Sequence, residues 1–137
     1  MSDTSVFNNL LSYIEDNLDK DLSLDTISKD LNYSKFYLAR IFSEHTDRTI
    51  YKYIQGRRLT EAALKLVNTD TPIVEIAYEA GYNSQQAFTL AFGRLYACSP
   101  QVYRNNGVFY PKQPRLTIKA MLSAQYTSYR KEGGLAA

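Results

Sequence analysis

The chain is poor in the residues that build disulfides, metal sites and thiol or imidazole catalysis: one cysteine, one histidine and no tryptophan in 137 residues. A lone Cys98 excludes an intrachain disulfide, and with His45 as the single histidine no familiar metal-ligand spacing can be assembled. The same scarcity argues against an enzyme, because a nucleophile, a base and an orienting group cannot be put together from one of each. No catalytic residue, metal ligand or cofactor is therefore assigned. Cys98 lies just before Ser99-Pro100 and reads as a small buried residue rather than a reactive thiol. Long apolar runs are also missing: nothing approaches the roughly 18 residues of a membrane span, and the amino terminus turns polar at Ser2, Asp3 and Thr4. The expectation is a soluble, cytoplasmic chain with no membrane partner.

A net charge of +2 argues for nothing by itself, but its distribution is uneven. Residues 1–30 hold seven acidic and two basic side chains, residues 31–106 six and nine, and residues 107–137 one and five. An acidic first helix thus precedes a basic remainder, an asymmetry that a solvated helix face explains as well as nucleic acid does.

What the chain does have is an internal duplication. At an offset of 49, Ile27, Leu31 and Tyr33 fall on Ile76, Ala80 and Tyr82. After one inserted residue, Leu38, Ile41, Phe42, Thr49 and Tyr53 fall on Phe88, Ala91, Phe92, Ser99 and Tyr103. Each unit reads as a short helix ending near Asn32-Tyr33 or Gly81-Tyr82, followed by Ser34 or Ser84 as the N-cap of a second helix with apolar residues at helical spacing. Two helices joined this way form a helix-turn-helix, whose second helix fits a DNA major groove. Val6, Leu10, Leu11, Ile14 and Leu18 make a further helical stripe over residues 5–18, with Glu15, Asp16 and Asp19 opposite, and Ser23 caps a short helix. A helix of about residues 49–67 links the units, its Ile50, Tyr53, Ile54, Ala62, Leu66 and Val67 facing both. Gly56 inside it weakens the helix by roughly 1 kcal/mol relative to alanine, so either a neighbour approaches closely there or the helix bends. The fold class is all-α: two homeodomain-like helix-turn-helix subdomains joined by a long linker helix.

The second helices, about residues 34–45 and 84–96, are the candidate recognition helices. In the first, Leu38, Ile41 and Phe42 face inward and leave Lys35, Phe36, Ala39, Arg40 and Ser43 outside. In the second, Phe88, Ala91, Phe92 and Leu95 face inward and leave Gln85, Gln86, Thr89, Leu90 and Gly93 outside. Adjacent glutamines in a first helical turn carry flat amides able to bond adenine's N7 and exocyclic amine together; they are also common solvent-facing residues, and their place in the repeat favours base reading. The twelve tyrosines and six phenylalanines lie mostly on apolar stripes, where they read as core rather than as a platform for single-stranded bases. Phe36 is the exception.

The run Ala77 to Phe92, AYEAGYNSQQAFTLAF, followed by Ser99-Pro100-x-x-Tyr103-Arg104, resembles the C-terminal signature of AraC/XylS-family transcription regulators. Leu24-x-x-Ile27-Ser28, Tyr33-Ser34, Leu38-x-x-Ile41-Phe42 and Ile54-x-x-Arg57-Arg58-Leu59-x-x-Ala62 fit the same domain, so the resemblance covers about residues 5–106. It implies seven helices, with two recognition helices inserted into successive major-groove segments of double-stranded promoter DNA. It also implies a bacterial activator that contacts RNA polymerase. Base reading is assigned to Phe36, Ala39, Arg40, Gln85, Gln86, Thr89 and Leu90, and phosphate contact to Ser34, Lys35, Ser84 and Arg94. Leu90 stands where the family often has arginine, and Gly93 where a basic residue is often found, so Arg40 is expected to carry the strongest base contact. The competing reading these departures favour is a helical protein-interaction module that keeps the fold without binding DNA. Arg57, Arg58 and Arg104 match family positions, open to pairing with acidic neighbours or to DNA contact.

Residues 107–137 stand outside the repeat as a basic tail. Arg115 to Ala120 alternates like a strand. This segment reads either as a basic appendage or as a linker opening a C-terminal effector domain, not present in this chain, through which a small molecule would act.

Overall fold

The structure, a computed structural model, describes residues 2–117, and among them the chain forms seven α-helices and no strand. α1 (Asp3–Asp16) buries Val6, Phe7, Leu10, Leu11 and Ile14 and leaves Asp16 in water. α2 (Leu24–Leu31) starts at Ser23, whose hydroxyl accepts from the Thr26 N–H, and stops at Asn32, in the left-handed region at φ 61°. α3 (Lys35–Thr46) is capped in the same way by Ser34 and stops at Asp47, φ 58°. In the second unit, α5 (Ile73–Glu79) gives way to Gly81 at φ 91°, and α6 (Gln85–Tyr96) is capped by Ser84 and stops at Ala97, φ 61°. The duplication therefore extends to backbone geometry: Asn32 and Gly81 end the first helix of each unit, and Asp47 and Ala97 end the second.

α4 (Ile50–Asn68) begins at Thr49, and α7 (Pro100–Asn106) begins at Ser99, each hydroxyl accepting from the N–H three residues on. These two helices occupy equivalent places in the repeat, and Tyr53 and Tyr103 are buried in both. α4 serves two cores. Its first part, through Ile54, closes a cluster with α1, α2 and α3 around Phe7, Ile27, Leu38, Ile41 and Phe42. From Leu59 onward it closes a second cluster with α5, α6 and α7 around Ile76, Phe88, Phe92, Tyr96 and Tyr103. The inward faces read from periodicity are those that are buried, with Leu18 half-buried at the margin of the first core and Leu95 and Val67 at that of the second. Cys98 is half-buried against the same cluster.

Residues 107–117 do not extend away from the lobes. Phe109 packs on the second core and Leu116 on the first, so this stretch runs over α4 from one lobe to the other. Arg115 to Thr117 form no strand, and Ile118 to Ala120 of the alternating segment lie outside the described residues.

Candidate nucleic-acid interface

The outward faces of α3 and α6 are built alike. Each is fixed from behind by an aromatic core, Phe42 against Phe7 and Tyr53 in one lobe and Phe92 against Phe88, Tyr96 and Tyr103 in the other. Packing of this kind holds the opposite face in one orientation. On α3 that face carries Phe36, 87% exposed, with Lys35 and Arg40. On α6 it carries Gln85, Gln86 and Leu90, all exposed, with Thr89 half-buried beside them and Arg94 exposed further along.

The local partners of these side chains decide how freely they can reach out. Arg40 lies 5.5 Å over the Tyr37 ring and 3.4 Å from Glu44, a pair more than half exposed on both sides. Such contacts contribute little, so the guanidinium is readily released. The Tyr37 hydroxyl donates to Asp3 at 2.9 Å, and that hydrogen bond, with burial behind it, raises the tyrosine's pKa and keeps the phenol proton in place. Lys35 sits 2.7 Å from Asp25, again in solvent, and has to leave that carboxylate to meet a phosphate. The Ser34 and Ser84 hydroxyl oxygens each accept from one N–H group, of Tyr37 and Ala87, which leaves each hydroxyl hydrogen as a donor.

Ala39 is placed differently from its neighbours on the same face. It is half-buried and lines an open cleft of about 500 Å³ between the lobes, with Ser43, Thr49, Tyr51, Gln55, Gly81 and Tyr82 among the other walls. Tyr51, 73% exposed in the first turn of α4, was not singled out by the sequence reading. Its signal was available: Tyr51 falls off the buried stripe of Ile50, Tyr53 and Ile54, two places after the Thr49 cap.

The three family-position arginines are structural. Arg57, 5% exposed, donates to both oxygens of Glu15 at 3.0 and 2.7 Å and to the Gln113 carbonyl at 2.8 Å. Burial alone would lower its pKa, but the bond and charge of Glu15, with Glu61 nearby, outweigh it and the pKa is raised. Arg58 donates to the carbonyls of Leu18 and Lys20, and Arg104 to those of Leu66 and Thr71. Two of the three are thus held by main-chain carbonyls rather than by acids.

Two capped, outward-facing helices on one linker helix are the architecture that the duplicated sequence called for, and a helix-turn-helix domain family matches residues 27–106. The chain belongs to the AraC/XylS family. It is 39% identical over 105 residues to the regulatory protein SoxS of Escherichia coli, an alignment covering 77% of this chain and 98% of SoxS. Among solved structures it is similar to the C-terminal domain of AraT, a response regulator from Geobacillus stearothermophilus, with a TM-score of 0.71 and 27% identity over 83% of this chain and 95% of that one. An AraC-type transcriptional regulator from Chromobacterium violaceum superposes with a TM-score of 0.70 at 25% identity, covering 76% and 94%. This AraC/XylS member is a DNA-binding transcription regulator and not an enzyme. No helix among the described residues is long and apolar enough to cross a membrane.

Proposed function

We propose that this chain activates transcription in the bacterial cytoplasm by binding promoter DNA with α3 and α6 in successive major-groove segments, and that it contacts RNA polymerase when bound. Residues 5–106 carry the reading unit and residues 107–137 follow it, leaving room for a small-molecule effector acting through a further C-terminal domain. The observation that carries the proposal is that the duplicated unit presents a second helix with base-reading chemistry in each copy, on lobes joined by a single helix. At 19 residues that helix is about 28 Å long, the scale of the roughly 34 Å between major-groove segments on one face of DNA. One chain then does what a dimer does elsewhere, and direct repeats are readable without palindromy.

In this reading Phe36, Ala39, Arg40, Gln85, Gln86, Thr89 and Leu90 face base edges, while Ser34, Lys35, Ser84 and Arg94 hold phosphates. Arg40 dominates, because a guanidinium bonds guanine's O6 and N7 together and Leu90 offers no such fork. Arg40→Ala should lower specific affinity by about 1–3 kcal/mol and relax preference in one half of the site, without altering folding. Lys35→Ala is the matched control and should weaken all sequences alike while reducing the salt slope by about one contact. Selection from a random duplex pool checks both, and an unchanged consensus for Arg40→Ala would remove it from the base-reading set.

Leu90 stands exposed on the reading face of α6, where it can touch a thymine methyl but cannot bond a base. Leu90→Arg should raise overall affinity and shift preference toward guanine in the half-site next to Gln85 and Gln86. Footprinting tests the whole arrangement. Protection of two neighbouring groove segments on one face is the expected pattern, whereas binding that ignores salt concentration would point to a protein-interaction module instead.

A further inference from the structure

The linker helix has a gap between its two cores, filled by Gln55, Gly56, Arg57 and Arg58, because the first cluster ends at Ile54 and the second begins at Leu59. A glycine in that gap makes it the place where α4 bends most easily. A segment beyond the matched family span lies directly over it. A Cβ on Gly56 would stand 3.0 Å from the Cβ of Gln113 and 3.1 Å from its Cγ, so the glycine is there to let Gln113 approach.

Gln113 is 7% exposed, and every one of its polar groups is used. Its N–H donates to the Thr60 hydroxyl at 3.0 Å, its carbonyl accepts from Arg57, its side-chain oxygen accepts from Arg48, and its amide nitrogen donates to the Pro114 carbonyl at 2.9 Å. Arg48 precedes Gly56 and Thr60 follows it, so Gln113 bridges the gap. The segment is fastened on both sides of that bridge, and the fastenings repeat. The Tyr103 hydroxyl accepts from the Tyr110 N–H at 2.8 Å in the second lobe, and the equivalent Tyr53 hydroxyl accepts from the Leu116 N–H at 3.0 Å in the first. Tyr96 adds a bond to the Tyr110 carbonyl at 2.9 Å.

We propose that residues 108–117 are a splint across the linker helix, and that Gln113 is the positioning residue that fixes the angle between the two reading lobes and hence the half-site spacing the protein accepts. The proposal rests on the two-groove reading given above. Bending α4 at Gly56 would pull Gln113 off Thr60, Arg48 and Arg57 together, so the splinted helix holds one geometry. A fixed geometry raises the effective concentration of the second lobe at its groove once the first has bound, and forbids spacings that a hinge would tolerate.

The test uses the full chain with Gln113→Gly, and Thr60→Val as a second variant should the first not fold. Duplexes carry both selected half-sites at their natural spacing, the same with two base pairs inserted, or one half-site scrambled. For the parent the insertion should weaken binding about 30-fold. In the variants affinity at natural spacing should fall about tenfold, the insertion penalty should shrink to about threefold, and binding to the duplex with one half-site scrambled should change less than about twofold. Spin labels at Lys29→Cys and Gln101→Cys, in a Cys98→Ser background, report the lobe separation without DNA: a narrow distance distribution in the parent should broaden in both variants. Gly56→Ala should lower the melting temperature of the parent and raise it in Gln113→Gly. An insertion penalty and a distance distribution that both match the parent's overturn the splint, as does a Gly56→Ala effect of the same sign in the two backgrounds. If the parent is indifferent to scrambling either half-site, the two-groove reading fails instead, and the label distances still decide the splint.

Discussion

Phe92→Ala is expected to destabilise the protein by about 3–5 kcal/mol, enough to consume much of the stability of a domain this size. Phe92 is fully buried, and its ring meets three others: stacked on Tyr96 at 4.7 Å between centroids, edge-on to Tyr103 at 5.4 Å, and tilted against Phe88 at 5.6 Å. Alanine removes the transfer energy of a whole ring, leaves a cavity that the surrounding helices close only in part, and ends aromatic contacts worth roughly 0.5–1.5 kcal/mol per pair. The effect should pass beyond the lobe, because Tyr96 and Tyr103 also hold the segment at Tyr110 and Lys112. Burial raises the Tyr96 pKa and so preserves the phenol proton that it donates to the Tyr110 carbonyl. Gln86→Ala, six residues away on the exposed face of the same helix, should leave the unfolding free energy within about 0.5 kcal/mol of the parent's while changing DNA selection. A Phe92→Ala protein that melts like the parent would show that the faces of α6 are assigned backwards.

Arg57→Ala should cost a similar amount, about 3–5 kcal/mol, for a different reason. Its side chain is 6% exposed and that of Glu15, whose carboxylate it grips, 15%, so truncating the arginine strands a charge that water reaches poorly. The Gln113 carbonyl loses its donor in the same change. The ion pair is not itself a large source of stability, since burying both charges offsets most of their attraction. Arg57→Met combined with Glu15→Leu should therefore recover most of the loss. Urea denaturation of the two singles and the double measures the coupling. An Arg57→Ala protein within about 1 kcal/mol of the parent would contradict the buried pair.

The two variants probe parts of the molecule that were unequally legible from the chain alone. Phe92 could be placed in the core because Phe88, Ala91 and Leu95 recur around it at helical spacing and because Phe42 holds the same place in the first unit. Arg57 could not be placed. Its match to a family position left open both an acidic neighbour and DNA; Glu61 lies only four places on, but the partners that bury the guanidinium, Glu15 and Gln113, stand 42 and 56 residues away in sequence. Arg58 and Arg104 resisted for a further reason, since their acceptors are backbone carbonyls, which every residue carries and no sequence pattern marks. Gly56 falls between these cases. A glycine inside an apolar helical stripe signalled either a close approach or a bend, and the structure supplies the close approach in Gln113.

What the sequence by itself determined is everything set within one helical turn. The Ser23, Ser34 and Ser84 caps, the stops at Asn32 and Gly81, the buried stripes and the outward positions of Phe36, Arg40, Gln85 and Gln86 depend on residues no more than four places apart, and the Ser34 cap and the Asn32 stop recur in the second unit at Ser84 and Gly81. What only the tertiary structure decided is how those units are held relative to one another. The return of residues 108–117 over α4, the Arg48, Arg57 and Thr60 contacts to Gln113, and the cleft that joins Ala39 to Tyr51 and Gly81 arise where elements distant in sequence meet. Such meetings follow from the packing of whole faces, and a single long polar side chain leaves no periodic trace of the partner it will find.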